Sequence, residues 1–210
     1  MNNPKENFSN ELSDDLKLLT SSLGGTRGMI ESGAPALVFI TAYALTSQNL
    51  RLSVFAAVAV GLILAIFRLA KRQTLSQVTA GFIGLAFSSW LAISSGQAQN
   101  FFLPGILMNF VYAGACLVSL IINKPLIGYL IESIRGTKTD WLKNRELLRR
   151  YRAMTYLWFG VFGLRVLIMT PLYFANQIAL LGFFRLALGL PLFALAGYIT
   201  YAMSKRQTNP

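Results

Sequence analysis

Residues 50–67 read LRLSVFAAVAVGLILAIF. Apart from Arg51 at its start, nothing in this stretch carries a charge. A helix rises about 1.5 Å per residue and the hydrocarbon core of a bilayer is about 30 Å thick, so roughly 20 apolar residues cross it. A surface helix of a soluble domain would show a polar face, and this one shows none beyond Ser53. The stretch predicts a transmembrane helix, and the one most exposed to lipid.

Five further stretches of this kind flank it, at 29–46, 75–93, 103–122, 155–175 and 181–203. Only 13% of the 210 residues are charged, about half the share usual in soluble domains. A water-soluble fold could not cover so much uncharged surface. The expected fold is therefore all-α, a polytopic six-helix transmembrane bundle. A cytoplasmic segment (1–28) precedes the transmembrane domain (29–206), and a short tail (207–210) follows it.

The basic residues order these helices. Arg68, Lys71 and Arg72 follow the second stretch. Lys124, Arg135, Lys138, Lys143, Arg145, Arg149, Arg150 and Arg152 fill the 124–154 connection, and Lys205 and Arg206 follow the sixth stretch. Lys5, Lys17 and Arg27 precede the first. Of the 19 basic residues, only Arg51, Arg165 and Arg185 fall elsewhere. The positive-inside rule then places both termini in the cytoplasm. The net charge of +11 belongs to these flanks, with no patch of base-reading residues, so no nucleic-acid partner is expected.

Two segments outside the spans have a single apolar face, as helices at the cytoplasmic membrane surface do. Phe8, Leu12, Leu16, Leu19 and Leu23 form one, ended by Gly24 and Gly25. Leu126, Ile127, Leu130, Ile131 and Ile134 form the other, between Pro125 and Gly136. Packing on the protein's own cytoplasmic loops is the competing reading. Asp140 is placed to cap a helix that runs on into the fifth span. Arg145, Arg149, Arg150 and Arg152 make a basic collar there that attracts anionic lipid headgroups, at about 1 kcal/mol per residue. Ordinary topogenic charge explains the same residues.

Inside the spans, the fourth carries a polar stripe: Gly105, Asn109, Tyr112, Cys116, Ser119 and Asn123 are spaced by three or four and share one face. Helix packing through small and hydrogen-bonding residues is one reading, and a polar path or binding cavity the other. The third span repeats a shorter version in Gln77, Gly81, Gly84 and Ser88, and the sixth in Gly182, Gly189 and Ala196. Glu31 lies at the inner end of the first span, Arg165 near the middle of the fifth, and Arg185 inside the outer end of the sixth. An arginine at the bilayer centre costs roughly 2.5–3.5 kcal/mol on insertion scales, so it needs a partner, water or an anion. Glu31, Asn109, Tyr112, Arg165 and Arg185 are the candidate intramembrane polar site. Pro104, Pro171 and Pro191 are candidate helix breaks.

Covalent chemistry finds no support. The chain has no histidine and one cysteine, Cys116, which removes the usual general base, the usual zinc ligands and any intrachain disulfide. No catalytic residue, metal or cofactor is expected. Gly24-Gly25-Thr26-Arg27-Gly28 follows no strand and reads as a turn before the first span rather than a nucleotide loop. The acidic residues Glu6, Glu11, Asp14 and Asp15 are unlike the start of a cleavable signal peptide.

The strings GGTRGMIES (24–32), FFLPGILMN (101–109), KPLIGYL (124–130), YLWFGVFGLR (156–165) and PLYFANQ (171–177) resemble an actinobacterial family of multi-pass membrane proteins of unknown function. The chain is also distantly similar to the intracellular septation protein A family, in its apolar first span, a Lys-Pro-Leu-Ile run and an aromatic-rich segment opening the fifth span. That second likeness implies a non-enzymatic role in the cell envelope or septum, exerted through membrane-protein partners. The residues themselves leave a second class open, a small secondary transporter or channel acting through the polar site.

Overall fold

In the computed structural model, residues 25–71, 75–135 and 139–205 are described. Among them every regular element is helical. The helices are α1 (Gly25–Leu45), α2 (Leu50–Ala70), α3 (Leu75–Ser95), α4 (Leu103–Ile121), α5 (Leu126–Arg135), α6 (Arg145–Phe174), α7 (Ile178–Ala187) and α8 (Leu190–Lys205). Short 3-10 turns at Ala98–Phe101 and Thr139–Lys143 precede α4 and α6. Four stretches are long and apolar enough to cross a membrane: Leu50–Ala70, Leu103–Ile121, Arg145–Phe174 and Ile178–Ser204. The apolar parts described in α1 and α3, Gly33–Leu45 and Gly81–Ser95, are shorter than that limit. The protein is thus a helical membrane protein with four clear candidate spans, where the sequence predicts six. The amphipathic segment predicted over 8–23 lies outside the described residues.

The chain divides into two compact units, Met1–Gly96 and Gln97–Pro210. In the first, α1 packs on α2 and α2 on α3. The turn between α1 and α2 bends through Ser47 and Gln48, both in the left-handed region. Asn49 then caps α2 by accepting the Leu52 N–H at 3.2 Å. Phe39, Val54 and Ala57 are buried, while Leu52, Phe55, Ile63 and Ile66 are exposed. The flank is bare and apolar, but Leu50–Ala70 is not the most exposed candidate span as predicted: smaller shares of Arg145–Phe174 and Ile178–Ser204 are buried. Helix α1 begins at Gly25, so of the run read as a turn residues 25–28 are helical, and Gly24 lies outside the described residues.

In the second unit, α4 lies along α6, and α5, α7 and α8 each pack on α6 as well. The 30-residue α6 is continuous from the basic collar to the far side, as the sequence predicts. Its cap is Asn144, whose side chain accepts the N–H groups of Glu146 and Leu147 at 3.0 and 3.3 Å, and not Asp140. Both residue types cap well; a 3-10 turn occupies the Asp140 position and delays the helix by one turn.

Helix α5 has the predicted span. Its apolar face packs on the protein, with Ile127 buried against Trp141, Tyr151 and Met154, while Leu130 stays exposed. Thr155 Oγ1 accepts the Ile127 N–H at 3.3 Å and Ser119 Oγ accepts the Leu126 N–H at 3.2 Å. These bonds satisfy first-turn donors that the helix leaves without partners. The buried Tyr151 hydroxyl donates to Glu132. Of the two readings of this segment, packing on the protein's own loops describes its buried face.

Pro171 sits within α6 without ending it, whereas the sixth predicted span is broken. Helix α7 stops as Leu188 and Gly189 donate to Phe184 and Leu186, at 2.9 and 3.1 Å. Pro191 has no N–H to give the carbonyl of Ala187, four residues earlier, and its ring crowds that carbonyl. A Cβ on Gly189 would sit 2.7 Å from the Arg185 carbonyl oxygen, so the turn needs glycine.

A Cβ on Gly128 would meet the Trp141 and Tyr151 rings at 2.8 and 2.9 Å. We expect Gly128→Ala to cost about 1–3 kcal/mol by overpacking. Gly114, with nothing within 4 Å of a built Cβ, should tolerate alanine or gain up to about 1 kcal/mol. Thermal unfolding of both variants in detergent, followed by tryptophan fluorescence, checks the contrast.

Candidate functional site

A cavity of about 210 Å³ opens within the second unit. Helix α4 contributes Gly105, Asn109 and Tyr112, with Phe102 at its N-cap. Helix α6 contributes Phe162, Arg165 and Met169, α7 contributes Arg185, and α8 contributes Phe193. Four of the five predicted site residues, Asn109, Tyr112, Arg165 and Arg185, therefore line one space. Glu31 lies in α1, in the other unit, and its side chain is outside the described residues.

Connectivity explains the convergence. Helices α6 and α7 are joined by the short turn 175–177, so Arg165 and Arg185 are counted from the same end. Arg165 lies about nine residues below the turn and Arg185 about seven, roughly 14 and 11 Å. The Tyr173 hydroxyl, near that end of α6, donates to the buried Asn100 side chain at 2.5 Å. This bond ties the 3-10 turn before α4 to the same level. Asn109 then falls about six residues down α4, roughly 9 Å.

Neither guanidinium has a hydrogen-bond or ion-pair partner among the described residues, and the described lining holds no carboxylate. Arg165 Nε is buried with no acceptor. Aromatic faces take the place of anions: Arg165 Cζ lies 4.9 Å from the Phe193 ring centre, and Arg185 Cζ 5.7 Å from that of Phe102. Such contacts contribute about 2 kcal/mol when desolvated. They favour a cation, yet they leave its N–H groups unsatisfied. Phe193 is in turn packed by Trp158 and Phe162, and Phe162 by Tyr112. Trp158 is fixed by donating to Thr200 at 3.0 Å. The Asn109 amide donates to the Gly105 carbonyl at 2.5 Å, leaving its oxygen to face other donors.

The polar stripe of α4 divides by depth. Its N-terminal half, Gly105 to Tyr112, faces the cavity. Its C-terminal half packs: Cys116 and Ser119 are buried, and Ser119 donates to the Cys116 carbonyl at 2.7 Å. Asn123 takes a left-handed conformation in the turn to α5. Of the stripes on the other spans, Ser88 and Ala196 are buried, and a Cβ on Gly81 or Gly84 would meet nothing within 4 Å. Phe102, Phe162, Met169 and Phe193 are cavity residues that the sequence reading passed over as ordinary apolar positions. Phe162 and Met169 stand three before and four after Arg165, on its own helix face. That spacing was the available signal.

The basic collar separates as well. Arg145, Arg149 and Arg152 line a groove of about 440 Å³ with Leu148, Ala153 and Tyr156. Arg150 is absent from it and pairs with Glu146 at 2.5 Å.

Because Arg165 bonds to no acceptor, removing it orphans nothing. Arg165→Leu and Arg165→Gln are both expected to give folded protein in at least wild-type yield, read by size-exclusion chromatography in detergent. Equal loss of yield in both would make the arginine a structural element instead.

No curated protein and no solved structure matches the chain. A family model does match, over residues 23–210, which include every described residue. The match takes in both compact units and every residue of the cavity. The chain belongs to the family described as Protein of unknown function (DUF3159).

Proposed function

We propose that the cavity binds an anion within the membrane, and that the protein acts as a small secondary transporter or channel. The observation that carries this reading is the pair of guanidiniums facing one cavity with no carboxylate among the described residues that line it. Two like charges in a low-dielectric space repel and are costly to hold there. A bound anion offsets both effects. The broken helix α7–α8 supports the same reading, because transporters place such breaks beside ion and substrate sites. The first turn of α8 and the N-cap of α4 each border the cavity, and helix N-termini favour negative charge.

In this reading α1, α2, α3, α4, α6 and the α7–α8 pair cross a bacterial plasma membrane six times, with both termini cytoplasmic. The groove at Arg145, Arg149 and Arg152 then meets the anionic headgroups of the inner leaflet. An envelope or septation role, implied by the likeness to the septation proteins, concerns partners rather than this cavity. Recovery of division or wall-synthesis proteins with the purified chain would support it. No enzymatic step is assigned.

Two measurements test the proposal. In proteoliposomes, the wild type should carry an anion flux that Arg165→Gln and Arg185→Gln each reduce at least tenfold; unchanged flux in both would remove the cavity from the path. For the topology, Cys116→Ser supplies a cysteine-free background. An impermeant thiol reagent added outside cells should label Asn176→Cys and spare Lys143→Cys. The reverse pattern would invert the assigned orientation.

A further inference from the structure

The walls of the cavity say more than its charge does. Taking about 30 Å³ per water, its 210 Å³ holds roughly seven water-sized groups. A halide or nitrate would leave most of that space empty. The remaining wall is apolar: Phe102, Phe162 and Phe193 with Met169. A small inorganic ion offers these side chains nothing to pack against, and a strongly hydrated one gives up its water to a wall that is apolar apart from the two guanidiniums and the rim. Rings cover one side of each guanidinium. What remains available is the planar edge with its paired N–H groups, the feature that matches the two oxygens of a carboxylate. Gly105 adds room, since a Cβ there would meet nothing within 4 Å.

We infer that the ligand is an organic monocarboxylate with a short apolar body, up to about the size of benzoate, an inference that rests on the reading of the cavity as an anion site. The carboxylate sits at the edges of Arg165 and Arg185, with Tyr112 and the free oxygen of Asn109 at the rim. The hydrocarbon body lies against Phe162 and Met169. Burying one methylene strengthens binding about fourfold, so chain length is the variable that reveals this geometry.

The experiment is titration calorimetry on the full chain in lipid nanodiscs, with acetate, propionate, butyrate, benzoate, chloride and inorganic phosphate. Affinity should rise about fourfold at each step from acetate to butyrate, with benzoate tighter than chloride or phosphate. Phe162→Ala should weaken benzoate several-fold and leave acetate unchanged. Phe162→Leu should fall between the two, and it serves if the alanine variant does not fold. Arg185→Lys keeps the charge but loses the fork, and should weaken every carboxylate more than chloride. Binding of chloride or phosphate with a flat carboxylate series overturns the inferred ligand class and leaves the anion site standing. Absence of binding by all six anions to folded protein overturns both.

Discussion

Backbone that leaves water must find its hydrogen bonds within the protein, and this constraint decides most of the structure. Helices meet it residue by residue, so the described chain is helical almost throughout. The break at Leu188 and Gly189 is the informative departure, because it falls about ten residues inside the stretch Ile178–Ser204, which is otherwise apolar enough to span. Pro191 withholds a donor there and Gly189 admits the tight approach of the Arg185 carbonyl. Non-helical backbone at such depth is tolerated where it is covered by protein or lines a cavity. Here both flanks of the break, Arg185 and Phe193, are cavity residues.

The second constraint is charge. Two arginines face one cavity, and among the described residues they meet aromatic rings in place of acids. That arrangement differs from a salt bridge in its consequence. A carboxylate would neutralise the guanidinium permanently and close its hydrogen bonds. A ring lowers the cost of burying it while leaving the donors open. Trp158 and Phe162 pack the Phe193 ring, and Trp158 is held itself by its bond to Thr200. Packing and electrostatics thus converge on one space.

Much of this was legible before the structure. Apolar length and charge placement gave the helices, and three-and-four spacing on α4 gave Asn109 and Tyr112. The cost of intramembrane charge singled out Arg165 and Arg185, and Pro191 marked the broken helix. Other features were not legible because they depend on partners distant in sequence. Periodicity could not say whether α5 faces lipid or Trp141. The α4 stripe could not be divided into a cavity half and a packed half without knowing where α6 lies. Asp140 and Asn144 are equivalent as caps until the 3-10 turn decides between them. Phe193 reads as lipid-facing unless the break that turns it toward Arg165 is known. Glu31, the only acid the sequence places near a span, has its side chain outside the described residues.

The most direct measurement of the central claim is a double-mutant cycle on the two arginines. Unfolding free energies would be compared for the wild type, Arg165→Leu, Arg185→Leu and the double variant, in detergent at low anion concentration. If both guanidiniums share a cavity without a carboxylate, each single change relieves the same repulsion. The double variant then gains less than the sum of the two single gains, with a coupling of about 0.5 kcal/mol or more. Strictly additive effects, or loss of stability in both single variants, would contradict the account.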